Sequence, residues 1–144
     1  MIRSSRIVAL MAAATLVGGV AFAQDDSAGD PVKGEKVFKK CKACHKLGEG
    51  AKNAVGPLLN DVMGRTAGMA EGYKYSASMI AAGEAGLVWS EELVARFVEN
   101  PKVFLRDYLD DASAKTKMTI KIKKEKDRAN VAAYVATFST PVAE

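Results

Sequence analysis

Both cysteines and the single histidine of this 144-residue chain lie within five residues, Cys41-Lys-Ala-Cys44-His45. Side chains three positions apart face nearly the same side of a helical turn, so the two thiols and the following imidazole lie close together. Any chemistry that requires a thiol or an imidazole must therefore take place in this segment. The remainder of the chain must fold around it.

Three kinds of site contain such a segment. A Cys-x-x-Cys pair occurs in disulfides and in thioredoxin-like proteins, but the latter need strands that alternate with helices, and no convincing period-two strands are present. A tetrahedral zinc site lacks ligands, because the chain has no third cysteine and no second histidine. The favoured interpretation is a c-type haem attachment site, in which Cys41 and Cys44 add to the vinyl groups and His45 coordinates the iron.

The amino-terminal segment has the features of a secretory signal. Arg3 and Arg6 precede an apolar run over residues 7–22, which ends in Ala21-Phe22-Ala23. The run is shorter than the ~20 apolar residues of a spanning helix, so an uncleaved anchor is the less favoured alternative. We predict a signal peptide over residues 1–23, cleavage after Ala23, and a periplasmic domain over residues 24–144.

The basic residues are unevenly distributed. The whole chain has a net charge of +4, and removal of the two arginines in the signal leaves +2. Lysines are concentrated around the haem attachment segment and again over residues 115–126. An exported chain without an aromatic-rich binding motif is a poor candidate for nucleic-acid binding, so we expect no nucleic-acid partner.

The sixth position on the iron decides what a haem does. A second imidazole is excluded, so the candidate ligands of the mature chain are its four methionine thioethers: Met63, Met69, Met79 and Met118. Met118 is favoured because it lies in a polar stretch, residues 114–119, without helical apolar periodicity. The other three are expected to line the haem pocket.

Capping residues and apolar periodicity predict an all-α chain. The expected helices begin at Pro31 behind the cap Asp30, cover residues 76–82, follow the cap Ser90, run from Pro101 to about Leu109, and cover about residues 124–138. Residues 46–59, which are rich in glycine, asparagine and proline, are predicted to form a loop.

Several short motifs occur in one order along the mature chain. They lie at residues 34–38, 41–45, 55–57, 64–65, 73–75, 89, 100–102, 116–118 and 134. In these motifs the chain resembles the class I cytochromes c, and most of all the long type of bacterial cytochrome c2. The resemblance implies the cytochrome c fold, with about five helices and long loops wrapped around one haem covalently attached through Cys41 and Cys44.

The resemblance also implies roles for individual residues. Met118 matches the axial methionine, and Pro57 matches the residue whose carbonyl oxygen accepts a hydrogen bond from the iron-binding His45. Three further residues match those that hold a buried haem propionate: Arg65, Tyr75 and Trp89. Another three match the contact between the first and last helices: Gly34, Phe38 and Tyr134.

The chain departs from the family pattern in two places. Phe97 stands where many relatives have a tyrosine whose hydroxyl lies near the methionine sulfur. Residues 105–111 lengthen the interval before Met118, and the position of the Tyr108 hydroxyl in this segment is left open.

By this resemblance the chain is expected to be a monomeric one-electron carrier and not an enzyme. The implied donor is a cytochrome bc1 complex, and the implied acceptor is a photosynthetic reaction centre or a terminal cytochrome oxidase. Exposed lysines would steer it to acidic partner surfaces through transient contacts: Lys40, Lys42, Lys46, Lys117 and Lys121. The rival functions are a haem enzyme or gas sensor with an open iron site, and a colourless dithiol or disulfide protein.

Overall fold

The computed structural model describes residues 28–140, so the predicted signal peptide and its cleavage site lie outside the described residues. Five helices lie in this range: α1 Pro31–Phe38, α2 Ala77–Glu84, α3 Glu91–Glu99, α4 Pro101–Leu109 and α5 Glu125–Ala136. Within it there is no strand, and a single isolated bridge pairs Thr66 with Val88. The prediction of an all-α fold is confirmed. No helix between residues 28 and 140 is long and apolar enough to span a bilayer.

Side-chain caps set the starts of four helices. Asp30 accepts hydrogen bonds from two backbone amides of the first turn of α1, and Ser76, Ser90 and Asn100 each accept one at the starts of α2, α3 and α4. The starts predicted behind Asp30 and Ser90 are confirmed. Asn100 both ends α3 and caps α4, because the proline that follows it suits the first position of a helix.

Two helix ends differ from the prediction. Helix α2 continues to Glu84, two residues beyond the expected end. Helix α5 ends at Ala136, because the amides of Thr137 and Phe138 donate to carbonyl oxygens three residues back and tighten the chain into a turn.

Helices α1 and α5 pack against each other, as the resemblance implied. The Phe38 and Tyr134 rings have centroids 5.4 Å apart. Gly34 is buried at the crossing, and a Cβ built there would lie 1.9 Å from the Asn130 carbonyl oxygen. The buried Asn130 also accepts a hydrogen bond from the Asp30 amide at 2.8 Å through its side-chain oxygen. The contact between α1 and α5 therefore supports the chain directly after Phe38, which leads into the attachment segment at residues 41–45.

The long connection between α1 and α2, residues 39–76, contains no helix. Its middle is fixed to the chain that leaves α5. The Asp61 amide donates to the Phe138 carbonyl oxygen at 3.0 Å, and the Asp61 carboxylate accepts from the Thr140 amide at 2.9 Å. This contact holds the loop against the end of the last helix.

Candidate haem site

A deep cleft, with about 1320 Å³ of empty space including its open mouth, runs between the helices and the long loop. All eight residues to which a haem role was assigned line it: Cys41, Cys44, His45, Pro57, Arg65, Tyr75, Trp89 and Met118. The other lining residues are Phe38, Lys40, Val55, Gly56, Leu59, Val62, Tyr73, Ser76, Met79, Val94, Phe97, Val98, Thr116, Lys117, Thr119, Ile120, Val131 and Val135. Residues up to 97 positions apart along the chain thus share one mostly apolar cavity.

The attachment segment continues α1 as a series of turns. The Cys41 amide donates to the Phe38 carbonyl at 2.8 Å, and the Cys44 and His45 amides both donate to the Cys41 carbonyl, at 3.1 and 2.9 Å. The buried Cys41 and the exposed Cys44 are free thiols that line the cavity. Burial raises the pKa of the Cys41 thiol to about 11. The turns therefore bring both sulfur atoms and the imidazole to one cavity wall.

His45 is oriented by the loop that follows it. Its Nδ1 lies 2.8 Å from the Pro57 carbonyl oxygen, and because a carbonyl only accepts, this nitrogen carries the proton. Burial lowers the pKa of His45, and the hydrogen bond to Pro57 opposes that effect. The imidazole is thus neutral at pH 7, and the lone pair of Nε2 remains available for a metal.

Backbone and side-chain contacts fix the Pro57 carbonyl in turn. The Gly56 amide donates to the Cys44 carbonyl at 2.8 Å, the Leu58 amide donates to the Asn53 side chain at 2.9 Å, and the Tyr73 hydroxyl donates to the Val55 carbonyl at 2.8 Å. A Cβ on Gly56 would lie 2.5 Å from Cε1 of His45, so glycine leaves the space that the imidazole fills.

These contacts reveal residues to which the sequence analysis gave no role. Asn53, Gly56 and Tyr73 all support the loop that holds His45. Gly56 and Tyr73 belong to motifs that carried the family resemblance, so the signal for them was present. Asn53 was hidden among the polar residues of a predicted loop.

Arg65, Tyr75 and Trp89 meet at another part of the cavity wall. The Arg65 guanidinium donates to the carbonyl oxygens of Leu58 and Asn60, at 3.0 and 3.2 Å. Burial raises the pKa of Tyr75, and the nearby charge of Arg65 opposes that shift. The Trp89 amide donates to the Arg65 carbonyl at 3.0 Å, which joins the two segments. The sequence-predicted cluster is therefore brought together in space.

The four methionines occupy different places. Met118 is half-buried and lines the cavity, and its amide donates to the Thr116 hydroxyl at 3.1 Å. Met79 also lines the cavity, as expected. The expectation was wrong for the other two. Met69, which follows the positive-φ residue Gly68, is 67% exposed. Met63 packs against the core outside the lining, where its amide donates to Ser139.

The structure also shows where the two departures from the family pattern lie. Phe97 lines the cavity beside Trp89, with ring centroids 5.1 Å apart, and it brings no hydroxyl there. Tyr108 does not supply one. Its ring stacks on Phe104 at 5.9 Å, in an outer groove between α3 and α4, and the side chain is absent from the haem cavity. Residues 105–111 complete α4 and the turn that follows it.

The donor set fits a c-type haem. Thiols, a neutral imidazole with one free nitrogen, a thioether and an apolar lining share one cavity, which are the groups that hold covalently attached haem iron. The alternative of a metal site built from at least three His, Cys, Asp or Glu side chains has no counterpart within residues 28–140.

Comparisons with known proteins identify the family of the chain. The cytochrome c family model matches residues 31–139. Cytochrome c2 iso-1 of Rhodospirillum centenum is 51% identical over 117 residues, which cover 77% of this chain and 98% of that protein. A cytochrome c2 of Rhodopseudomonas palustris is 48% identical over 114 residues, or 75% of this chain and 97% of that protein.

A solved structure shares the fold. The structure of cytochrome c2 from Rhodospirillum centenum matches with a TM-score of 0.74 and 47% identity, over 78% of this chain and all of that one. Cys41 and Cys44 are the two cysteines at the attachment position. The chain therefore belongs to the cytochrome c family, as a class I cytochrome c of the bacterial c2 type that carries electrons on a covalently bound haem c.

Proposed function

We propose that the chain is a periplasmic one-electron carrier whose haem iron is held by Nε2 of His45 and the sulfur of Met118. The observation that carries this proposal is the convergence of both side chains on the cavity that also contains Cys41 and Cys44. Haem c supplies an iron that takes up and releases one electron. Imidazole and thioether are ligands typical of electron-transfer haems, in which the thioether raises the potential.

The protein residues hold this centre without rearrangement. Cys41 and Cys44 tether the cofactor, and the Pro57 carbonyl keeps the His45 ring in one orientation and one tautomer. Because the same two ligands serve both oxidation states, little reorganisation accompanies the gain or loss of an electron. An apolar lining favours the less charged Fe(II) state, which further supports a positive potential.

Arg65, Tyr75 and Trp89 are proposed to bind a haem propionate. A guanidinium has five N–H donors, and two bonds to loop carbonyls leave others available to a carboxylate. A buried carboxylate without partners is unfavourable, so the charge of Arg65 on this wall supports the assignment.

The proposed partners are a cytochrome bc1 complex as donor, and a photosynthetic reaction centre or terminal oxidase as acceptor. The five candidate lysines are exposed, and Lys40 and Lys117 stand at the cavity itself. A positive rim around a redox centre favours rapid encounters with acidic surfaces and small, transient interfaces. The proposed location follows from the export signal and is tested by fractionation, with a mature amino terminus expected at Gln24.

Redox titration and absorption spectroscopy of the haem-loaded protein test the ligand assignment. We expect the wild type to show the far-red methionine-to-iron charge-transfer band and no carbon monoxide binding when reduced. The Met118→Ala protein is expected to lose this band, to bind carbon monoxide when reduced and to have a lower reduction potential. Met79→Ala is the matched control, because Met79 lines the same cavity, and it should keep all three properties. A Met118→Ala protein with an unaltered band and potential would contradict the assignment.

A further inference from the structure

The segment that carries Met118 has no regular structure of its own. Residues 115–123 lie between α4 and α5 without a helix, and Thr116 to Ile120 all line the haem cavity. Such a segment keeps its position only through bonds to other parts of the protein. The position of the Met118 sulfur therefore depends on how both ends of the segment are fixed.

The near end is fixed to the start of α2. The Lys115 amide donates to the Ser78 hydroxyl at 2.9 Å, and the Lys115 carbonyl accepts from the Ser76 hydroxyl at 3.4 Å. The Lys117 ammonium donates to the Lys74 carbonyl.

The far end is fixed at Ile122 and Lys123. The Ile122 amide donates to the Val98 carbonyl of α3 at 2.8 Å, and the Ile122 side chain is buried. Nη1 of Arg128 donates to the Lys123 carbonyl at 2.7 Å and lies 3.4 Å from the Ile122 carbonyl. The Arg128 side chain thus bonds the carbonyl oxygens of both residues at this end of the segment.

The setting of Arg128 makes these bonds effective. Its side chain is only 13% exposed, so its charge is partly desolvated and its bonds to carbonyl oxygens are charge-assisted. Glu99, on α3, lies 3.4 Å from the same nitrogen but is 57% exposed, and exposed pairs contribute little. Arg128 therefore joins α5 to the segment chiefly through the two carbonyls.

We propose that Arg128 is a positioning residue for Met118. By holding the carbonyls of Ile122 and Lys123 against α5, it fixes the short stretch between Met118 and Ile122 and keeps the thioether on the iron. Met118 and Ile122 are four positions apart, a reach of at most ~14 Å, so displacement of Ile122 is transmitted to the ligand. This inference rests on the proposed ligation of the iron by Met118.

Competition by imidazole for the sixth position of the ferric haem protein tests the proposal. Arg128→Lys keeps the charge but loses the planar fork of donors. We expect its binding constant for imidazole to rise about tenfold, because loss of a charge-assisted hydrogen bond should weaken competition from the Met118 sulfur by about that factor. Arg128→Gln keeps a neutral donor and should also raise the binding constant for imidazole.

Two control variants separate this role from general effects of charge. Arg96→Lys changes an exposed arginine on α3 that lies over the Phe104 ring, away from the segment. Glu99→Gln removes the ion pair and leaves both carbonyl bonds in place. Each should change imidazole affinity by less than about twofold.

Hydrogen exchange and denaturant unfolding provide the readouts that distinguish positioning from stability. The Arg128→Lys substitution should accelerate exchange of the Ile122 amide more than exchange of the amides in the α1–α5 contact. If Arg128→Lys lowers only the global unfolding free energy and leaves imidazole affinity unchanged, the positioning role is overturned. If the wild type itself lacks the methionine charge-transfer band, the proposed ligation fails first, and this inference fails with it.

Discussion

Gly56 leaves the space that the His45 imidazole occupies: a Cβ on Gly56 would lie 2.8 Å from each of the two ring nitrogens and 2.5 Å from the carbon between them. No rotation of a short side chain at position 56 relieves such an overlap, because the Cβ position is set by the backbone. The carbonyl that orients His45 belongs to the next residue, so any shift of Gly56 also moves the hydrogen bond from His45 to Pro57.

Gly56→Ala should therefore disturb the haem more than the fold. We expect the His45 ring to shift, the hydrogen bond to Pro57 to weaken, and the potential to change, since that bond tunes ligand basicity. Resonance Raman spectroscopy of the iron–histidine environment, with redox titration, measures both effects. An alanine variant with the wild-type spectrum and potential would show that the loop yields without moving the ligand.

Gly34→Ala should destabilise the contact between α1 and α5. The added Cβ would lie 1.9 Å from the backbone oxygen of Asn130, which only a shift of a whole helix relieves. We expect a loss of about 3 kcal/mol in the free energy of unfolding, measured by denaturant titration. Gly50→Ala is the control, because it shares the change of residue but has no atom within 4 Å of its Cβ. Its positive φ alone should cost about 1 kcal/mol.

The sequence predicted the features that depend on neighbouring residues. Helix starts at Asp30, Ser90 and Asn100 follow from local capping chemistry, and the haem segment follows from residue types within a single turn. The family motifs also identified a set of distant residues that share one cavity.

Features set by long-range packing were not predictable in the same way. The path of the long loop places Met69 in solvent and packs Met63 outside the cavity. No periodicity in the sequence predicts that path. The contact of Arg128 with Ile122 depends on how α5 lies against the Met118 segment. The contact of Asp61 with Thr140 joins residues 79 positions apart, and only the folded chain brings them together.

The Asp61 contact gives a pH dependence with a definite sign. Hydrogen bonds from the amide and hydroxyl of Thr140 lower the pKa of the Asp61 carboxyl below its ordinary 3.8. A lowered pKa stabilises the folded state in full above the unfolded value, and this contribution is lost as the pH falls through the folded value. Wild type should therefore exceed Asp61→Asn in unfolding free energy by a constant amount above about pH 5.

Asparagine is a suitable substitute, because it tolerates the left-handed backbone of position 61, where φ is 53°. Denaturant titrations between pH 2 and 7 measure the difference, which should shrink below the ordinary pKa of 3.8. A difference that stays constant down to the lowest pH would mean that the charge of Asp61 contributes nothing.

If exposed lysines steer the encounter with a partner, the rate of reduction depends on the position of each lysine as well as on ionic strength. Reduction of the haem protein by a cytochrome bc1 complex should slow as ionic strength rises, because screening weakens attraction between exposed charges. Lys40→Glu, at the cavity, should slow it about threefold more than Lys102→Glu, which changes the net charge equally at an exposed position of α4. Equal effects of the two variants would show that net charge alone governs the encounter.

Proton–carbon NMR of reduced protein with labelled methionine methyl groups tests the sixth ligand most directly. Residues 24–144 contain four methionines, and only a methyl group bound over the haem plane experiences a large ring-current shift. We predict one strongly shifted methyl resonance that disappears in Met118→Leu and persists in Met79→Leu. A spectrum without a shifted methyl, or one whose shifted methyl survives Met118→Leu, would contradict ligation of the iron by Met118.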